Sequence, residues 1–132
     1  NEASHTEITT PEPLTIEQLL AARQEVLAVH TAESIDQYIV QLTMATRHPK
    51  KVDDELAQWI EFGVSPRATI ALDRCAKAHA FIHGRDYVTP DDIHGVIYDV
   101  FRHRLILSFE AEAQGISADH VITRLLQKVA VI

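Results

Sequence analysis

Ser65, Pro66 and Arg67 combine a hydroxyl, a helix-starting proline and a guanidinium in three consecutive residues, a set suited to holding an anion. Ser65 is a good N-cap and Pro66 suits the first helical position. Arg67 then falls in the first turn, where the macrodipole favours acids over cations. Helix stability does not account for an arginine there. A helix start with free backbone N–H groups and a guanidinium beside them makes a site for an anion, most naturally a phosphate. The plainer alternative is a surface arginine with a salt-bridge partner.

The other chemistry-bearing residues read more simply. His79 and His83 are four apart and share a helix face, but Ala80 follows His79 and no third ligand stands out, so no metal site is expected. Asp91 and Asp92 read as first-turn acids, since neighbouring helical carboxylates do not face one point. Ser65 and Ser117 read as caps, with no nucleophile elbow or base beside either. The lone Cys75 excludes an internal disulfide and suits a reducing cytoplasm; among its alanines it is expected to be a buried, inert thiol.

Eight segments, from a lead-in to a last helix, surround or position these residues. Residues 1–14, with Thr9-Thr10-Pro11-Glu12-Pro13, carry turn residues without apolar periodicity and read as a linker or disordered lead-in. Thr15 and Gln18 form a capping box for a first helix ending near His30, with Ile16, Leu19, Leu20, Val26 and Leu27 as its apolar face. A second helix, about 32 to 47, repeats Ile35, Tyr38, Ile39, Leu42 and Ala45 and stops before His48-Pro49. Between Lys50 and Phe62 a short helical turn carries Leu56, Trp59, Ile60 and Phe62. Trp59 and Phe62 more often mean core than contact, and would mark a docking surface if exposed.

The third helix, about 66 to 83, shows a stripe of Ala68, Ala71, Leu72, Cys75, Ala78 and Ile82, with Gly84 as its C′ residue. Thr89-Pro90-Asp91-Asp92 starts a fourth helix whose cap and acids all match the dipole, the reverse of Arg67. Its apolar face is Ile93, Val96, Ile97, Val100 and Phe101. Arg102-His103-Arg104 closes it with cations, either as simple helix-end charges or as an interdomain contact. Leu105–Phe109 reads as an extended link or helix continuation rather than a sheet. Ser117 then caps a last helix facing the core through Val121, Ile122, Leu125, Leu126 and Val129. About five helices and no partnered strand pattern make an all-α bundle.

At 132 residues the chain is one domain with enough length for a real core, and its 46% hydrophobic residues and four glycines suit a helical protein. Net charge is −7, twelve Lys and Arg against nineteen Asp and Glu, which argues against a nucleic-acid scaffold. No apolar run approaches a membrane span, and no secretory signal stands at the start. Beginning at Asn1 rather than methionine, the chain reads as a piece of something longer.

Gly63-Val64-Ser65-Pro66-Arg67-Ala68, Gly84-Arg85-Asp86-Tyr87-Val88-Thr89-Pro90-Asp91-Asp92 and Arg102-His103-Arg104-Leu105 occur in one order at compatible spacing. Together with Glu110 to Asp119 they resemble the C-terminal lid domain of MoxR-type AAA+ ATPases, over about residues 15 to 127. Val64 departs from the family's frequent Gly-Ala before this turn. The resemblance implies that residues 15–132 are a helical lid closing over nucleotide bound to a preceding α/β domain. It implies that Arg67 is the second sensor, a catalytic contact on the γ-phosphate side of ATP, and that Ser65, Pro66 and Arg67 form the cofactor-binding turn.

By the same resemblance the parent is a cytoplasmic, hexameric ATPase with chaperone-like duties such as remodelling a client or inserting a cofactor. Its partners are the upstream AAA+ domain, neighbouring subunits and an unidentified client, with no nucleic acid and no membrane span. The chain itself has no G-x-x-x-x-G-K-[ST] loop and no acidic strand end for magnesium. Alone it is expected neither to hydrolyse ATP nor to hold it tightly, the magnesium belonging to the missing domain. The alternative is an independent helical protein- or DNA-binding module, for which Arg102 to Arg104 offers a local basic spot.

Overall fold

The computed structural model describes residues 13–131; the linker expected over residues 1–14 lies almost wholly outside them. Seven helices occur among the described residues: α1 (Ile16–Leu27), α2 (Glu33–Arg47), α3 (Asp54–Trp59), α4 (Ala68–Ile82), α5 (Pro90–Phe101), α6 (Phe109–Ala113) and α7 (Ala118–Lys128). Five match the helices expected from periodicity. α3 is the short helical turn expected between Lys50 and Phe62, and α6 is the addition, its five residues too few for a period to declare itself. Local chemistry sets the helix starts: Thr15 and Gln18 close a capping box on α1, Thr89 and Asp92 close another on α5, and Ser108 and Ser117 cap α6 and α7. Gly84, at φ +76°, ends α4 in the left-handed region that glycine enters without strain.

The core lies between α2, α4, α5 and α7. Tyr38, Leu42, Leu56, Leu72, Ile93, Ile97, Phe101, Ile122 and Leu125 are fully or almost fully buried there. α4 and α5 form the most extensive pair. The buried face of α4 is Ala68, Leu72, Ala76 and Ala80, one residue in four, whose small side chains let α5 come close. The expected stripe is therefore corrected. Cys75 is exposed, not buried, and Ile82 is 78% exposed. Alanines and aliphatics surround α4 on most sides, so the period allowed several faces and the neighbouring helices chose one.

α1 departs further from expectation. It has the anticipated apolar residues but buries none of them: Ile16, Leu19, Leu20 and Leu27 are exposed as it leans on α4. Where the chain leaves α1, the His30 N–H donates to the Asp86 carbonyl and Val88 N–H donates to the His30 carbonyl, 2.8 and 2.9 Å, joining it to the approach to α5.

The absence of partnered strands is also corrected. Residues Ile60–Phe62 (β1) and Ile106–Leu107 (β2) pair antiparallel, with Ile60 opposite Leu107 and Phe62 opposite Ile106. Ser108 extends the tie, its N–H donating to the Trp59 carbonyl and its Oγ to that of Gln58. Strands of three and two residues cannot display an alternation, and their partner lies far along the chain. Trp59 is core, as expected, whereas Phe62, read with it as core, is exposed, as are Ile106 and Phe109.

Candidate functional site

The Ser65-Pro66-Arg67 turn hangs between the end of α2 and the start of α4. On the α2 side, the buried Thr46 hydroxyl donates to the Thr43 carbonyl (2.7 Å) and accepts the Val64 N–H (3.1 Å). Arg47 Nη1 donates to the Val64 carbonyl at 3.1 Å. The Val64 side chain is fully buried, so the departure from the family's usual alanine fills core rather than facing the turn. Gly63 lies so close to α2 that a Cβ on it would sit 2.3 Å from the Thr46 carbonyl oxygen. Gly63→Ala is therefore expected to push the segment off α2, at about 1–3 kcal/mol, read as a lower Tm in thermal melts; an unchanged Tm would show that the backbone yields freely there.

On the α4 side, the helix begins two residues later than the sequence suggests, so Ser65 is not its N-cap but braces the turn ahead of it. Ser65 Oγ accepts the Arg67 N–H at 3.1 Å, while Arg67 itself, at φ −62° and ψ −23°, is the N-cap position of a helix whose first residue is Ala68. Pro66 sits in the preceding turn. Ala68, Thr69 and Ile70 donate their N–H groups to the carbonyls of Ser65, Pro66 and Arg67, three residues back. This tight turn ahead of the helix corrects one expectation: the N–H groups of residues 67–70 are not free. An anion at this turn meets the guanidinium of Arg67 and the positive end of a 15-residue helix, not a cradle of open amides. Ser65, Pro66 and Arg67 are all exposed, and the Arg67 guanidinium enters no ion pair among the described residues.

The remaining candidates are structural. Asp92 is more than a first-turn acid: its side chain is completely buried and joins α4 to α5. Arg85 reaches it with two nitrogens at 2.6 and 2.7 Å, His79 Nδ1 donates at 2.7 Å, and Thr89 gives its N–H (2.7 Å) and hydroxyl (3.1 Å). Burial pushes the Asp92 pKa up, but the Thr89 and His79 hydrogen bonds and the Arg85 charge outweigh it and hold the carboxyl below its ordinary value. His83 stacks on His79 and takes the His79 carbonyl, so these two histidines are engaged in the helix and the network. Among the described residues no group of three His, Cys, Asp or Glu is arranged for a metal ion. By sequence Asp92 reads only as a first-turn acid; its closing of the Thr89 capping box could have been found from the three-residue spacing, whereas its union with Arg85 and His79 had no local signal.

Arg102 pairs with Asp99 and Asp119, and Arg104 donates to the Val100 carbonyl. The basic spot expected of a DNA-binding module is thus largely consumed within the bundle. Asp53 caps α3 and binds Arg124 of α7, whose hydrogen bond holds the Asp53 pKa below its ordinary value against the opposing effect of burial.

Both shifts imply one pH dependence. Asp53 and Asp92 titrate lower in the folded chain than the unfolded value of about 3.9, so the native state binds fewer protons in acid. Their stabilisation is complete above about pH 4 and is lost as pH falls through the lower folded values. Tm is expected to fall on acidification below about pH 4, and Asp53→Asn, which keeps a good helix cap, to make that fall shallower; an identical slope in the variant would count against the Asp53 contribution.

The comparisons with known proteins agree with this architecture. The AAA lid domain family matches residues 55–125. The chaperone MoxR1 of Mycobacterium tuberculosis is 45% identical over 94 residues, covering 70% of this chain and 25% of that protein. Bacillus subtilis YeaC is 38% identical over 132 residues, covering 98% of this chain and 38% of its own. A crystal structure from Cytophaga hutchinsonii, of a protein regarded as an ATPase, superposes with a TM-score of 0.85 at 44% identity over 88% of this chain and 36% of its own. The chain therefore spans between a quarter and two-fifths of the length of these relatives. No helix among the described residues is long and apolar enough to cross a membrane. Matched over more than half its length, the chain belongs to the AAA lid domain family, in its MoxR-type form.

Proposed function

We propose that this lid senses the nucleotide held by an adjoining AAA+ domain, with Arg67 as the second sensor residue that reaches the γ-phosphate side of ATP. The observation that carries the reading is the state of Arg67: exposed, outside any ion pair among the described residues, and at the positive end of α4 where its charge is locally unwelcome. A triphosphate supplies the missing counter-charge. The turn fits one edge of such a ligand and no more, because its amides are already bonded; the rest of the phosphate cradle, the magnesium and the hydrolytic machinery belong to the other domain.

In this reading ATP draws the lid down as a rigid body, Arg67 stabilises charge developing on the transferred phosphoryl group, and hydrolysis releases the lid. Neighbouring subunits of a hexamer would feel that motion and pass it to a client, as remodelling or cofactor insertion. The exposed apolar faces of α1 and of the β1–β2 ribbon supply surfaces for the adjoining domain. The test is ATP turnover by the full-length protein carrying Arg67→Ala. Turnover at the wild-type rate refutes the sensor role.

A further inference from the structure

We propose that Arg47, with Thr46 beside it at the end of α2, is the positioning residue that aims Arg67. The inference rests on the sensor reading above and adds the element that holds the sensor in place.

Val64 stands three residues before Arg67, and both its backbone polar groups are held by consecutive residues of α2: its N–H by the Thr46 hydroxyl, its carbonyl by the Arg47 guanidinium. Its side chain is buried, and the preceding Gly63 abuts the Thr46 backbone. The chain is thus pinned at residues 63 and 64 on all sides, and from Ser65 to Arg67 it is exposed and held only by its own tight turn. The direction in which Arg67 leaves the bundle is set at Val64. Of the two holding groups, Thr46 is buried and its hydroxyl also satisfies the Thr43 carbonyl, so it has a place in the core regardless.

Arg47 is different. It is exposed, and at the end of α2 a cation would ordinarily settle on that helix's own last carbonyls; instead it reaches across to a carbonyl 17 residues further along. Folding stability gains little from one such partly exposed bond, whereas a sensor that must meet a phosphate within a fraction of an ångström gains accuracy. α2 also packs against α4 and α7, so the clamp ties the turn to the body of the lid and makes Arg67 move with it.

The test uses the full-length protein and a double-mutant cycle in steady-state ATP turnover. Arg47→Ala is expected to lower kcat roughly five- to tenfold with little change in Tm, and to have no further effect in an Arg67→Ala background. Arg47→Lys, which can still donate to the Val64 carbonyl, is expected to recover most of the loss. Hydrogen exchange at the bonded amides of Val64 and Arg67 is expected to quicken in Arg47→Ala while that of α5 stays unchanged. Wild-type turnover in Arg47→Ala, additive losses in the double variant, or unchanged exchange at the turn would overturn the positioning role alone. Wild-type turnover in Arg67→Ala would overturn the sensor reading and this inference together.

Discussion

Arg67→Ala is expected to lower ATP turnover by the full-length protein about 100-fold while leaving the lid folded. The size follows from the kind of interaction. A guanidinium placed where negative charge develops, in a site closed to water, contributes on the scale of an oxyanion-hole donor or an arginine finger, from which losses of about a hundredfold and more are ordinary. The near absence of a folding effect follows from Arg67's surroundings. It is exposed, it enters no ion pair among the described residues, and at the positive end of α4 its charge opposes the dipole by about 0.3–1 kcal/mol, so its removal should leave Tm level or slightly raised. Arg67→Lys keeps the charge but replaces a planar fork with a single ammonium, and is expected to fall between the two. Turnover and ATP affinity measured side by side would check this: a large loss in turnover with a modest loss in affinity identifies an interaction made mainly in the transition state. A collapse of Tm in Arg67→Ala would instead mark the residue as structural.

Asp92→Ala is expected to have the largest effect on stability, about 3–5 kcal/mol, or roughly 10–18 °C in Tm for a domain of this size. Asp92 is wholly buried and accepts five hydrogen bonds, two from Arg85, one from His79 and two from Thr89. Removing the carboxylate strips the α5 capping box, leaves the Arg85 guanidinium without its only ion-pair partner among the described residues, and frees the His79 ring between α4 and α5. The cost comes less from the lost attractions than from polar groups left unpaired in a partly desolvated place. Thermal melts near neutral pH check it. A Tm within a few degrees of wild type would mean that the neighbours find water or other partners readily.

Taken together, the two variants separate the parts of the lid. Asp92 lies where α5 begins and braces the α4–α5 pair from within, whereas Arg67 lies at the opposite end of α4 from His79 and adds nothing to that bracing. One should lower the stability of the domain without altering Arg67. The other should disable the site without touching the fold.

How much of this was legible beforehand depended on distance along the chain. The Thr15–Gln18 box, the Thr89 start of α5, the Ser117 cap, the Gly84 stop and the buried faces of α2, α5 and α7 all match their sequence readings. Each is an interaction among residues within about four positions, or a periodicity of one helix. The Ser65-Pro66-Arg67 turn was legible for the same reason, as chemistry out of keeping with its own helix. The readings that failed needed a partner. Ile82 and Cys75 fit the α4 period yet face outward, and the apolar face of α1 stays mostly exposed although the helix leans on α4. Leu105–Phe109 pairs with a strand some 45 residues earlier through contacts that no local pattern announces.

Residue types and their spacing were enough to place five helices, the caps of α1, α5 and α7, the amphipathic faces of α2, α5 and α7, and an arginine at a helix end with no local reason to be there. Packing of the whole chain settled which faces are covered, made Asp92 a buried hub, spent the amides of the Ser65 turn, and brought Arg47 to Val64 from another helix. Caps and turns are bonds between near neighbours whose geometry the backbone dictates, so residue type alone reveals them. Burial and long-range hydrogen bonds depend on which surfaces meet when the whole chain packs, and a surface carries no sign of its partner until the two are brought together.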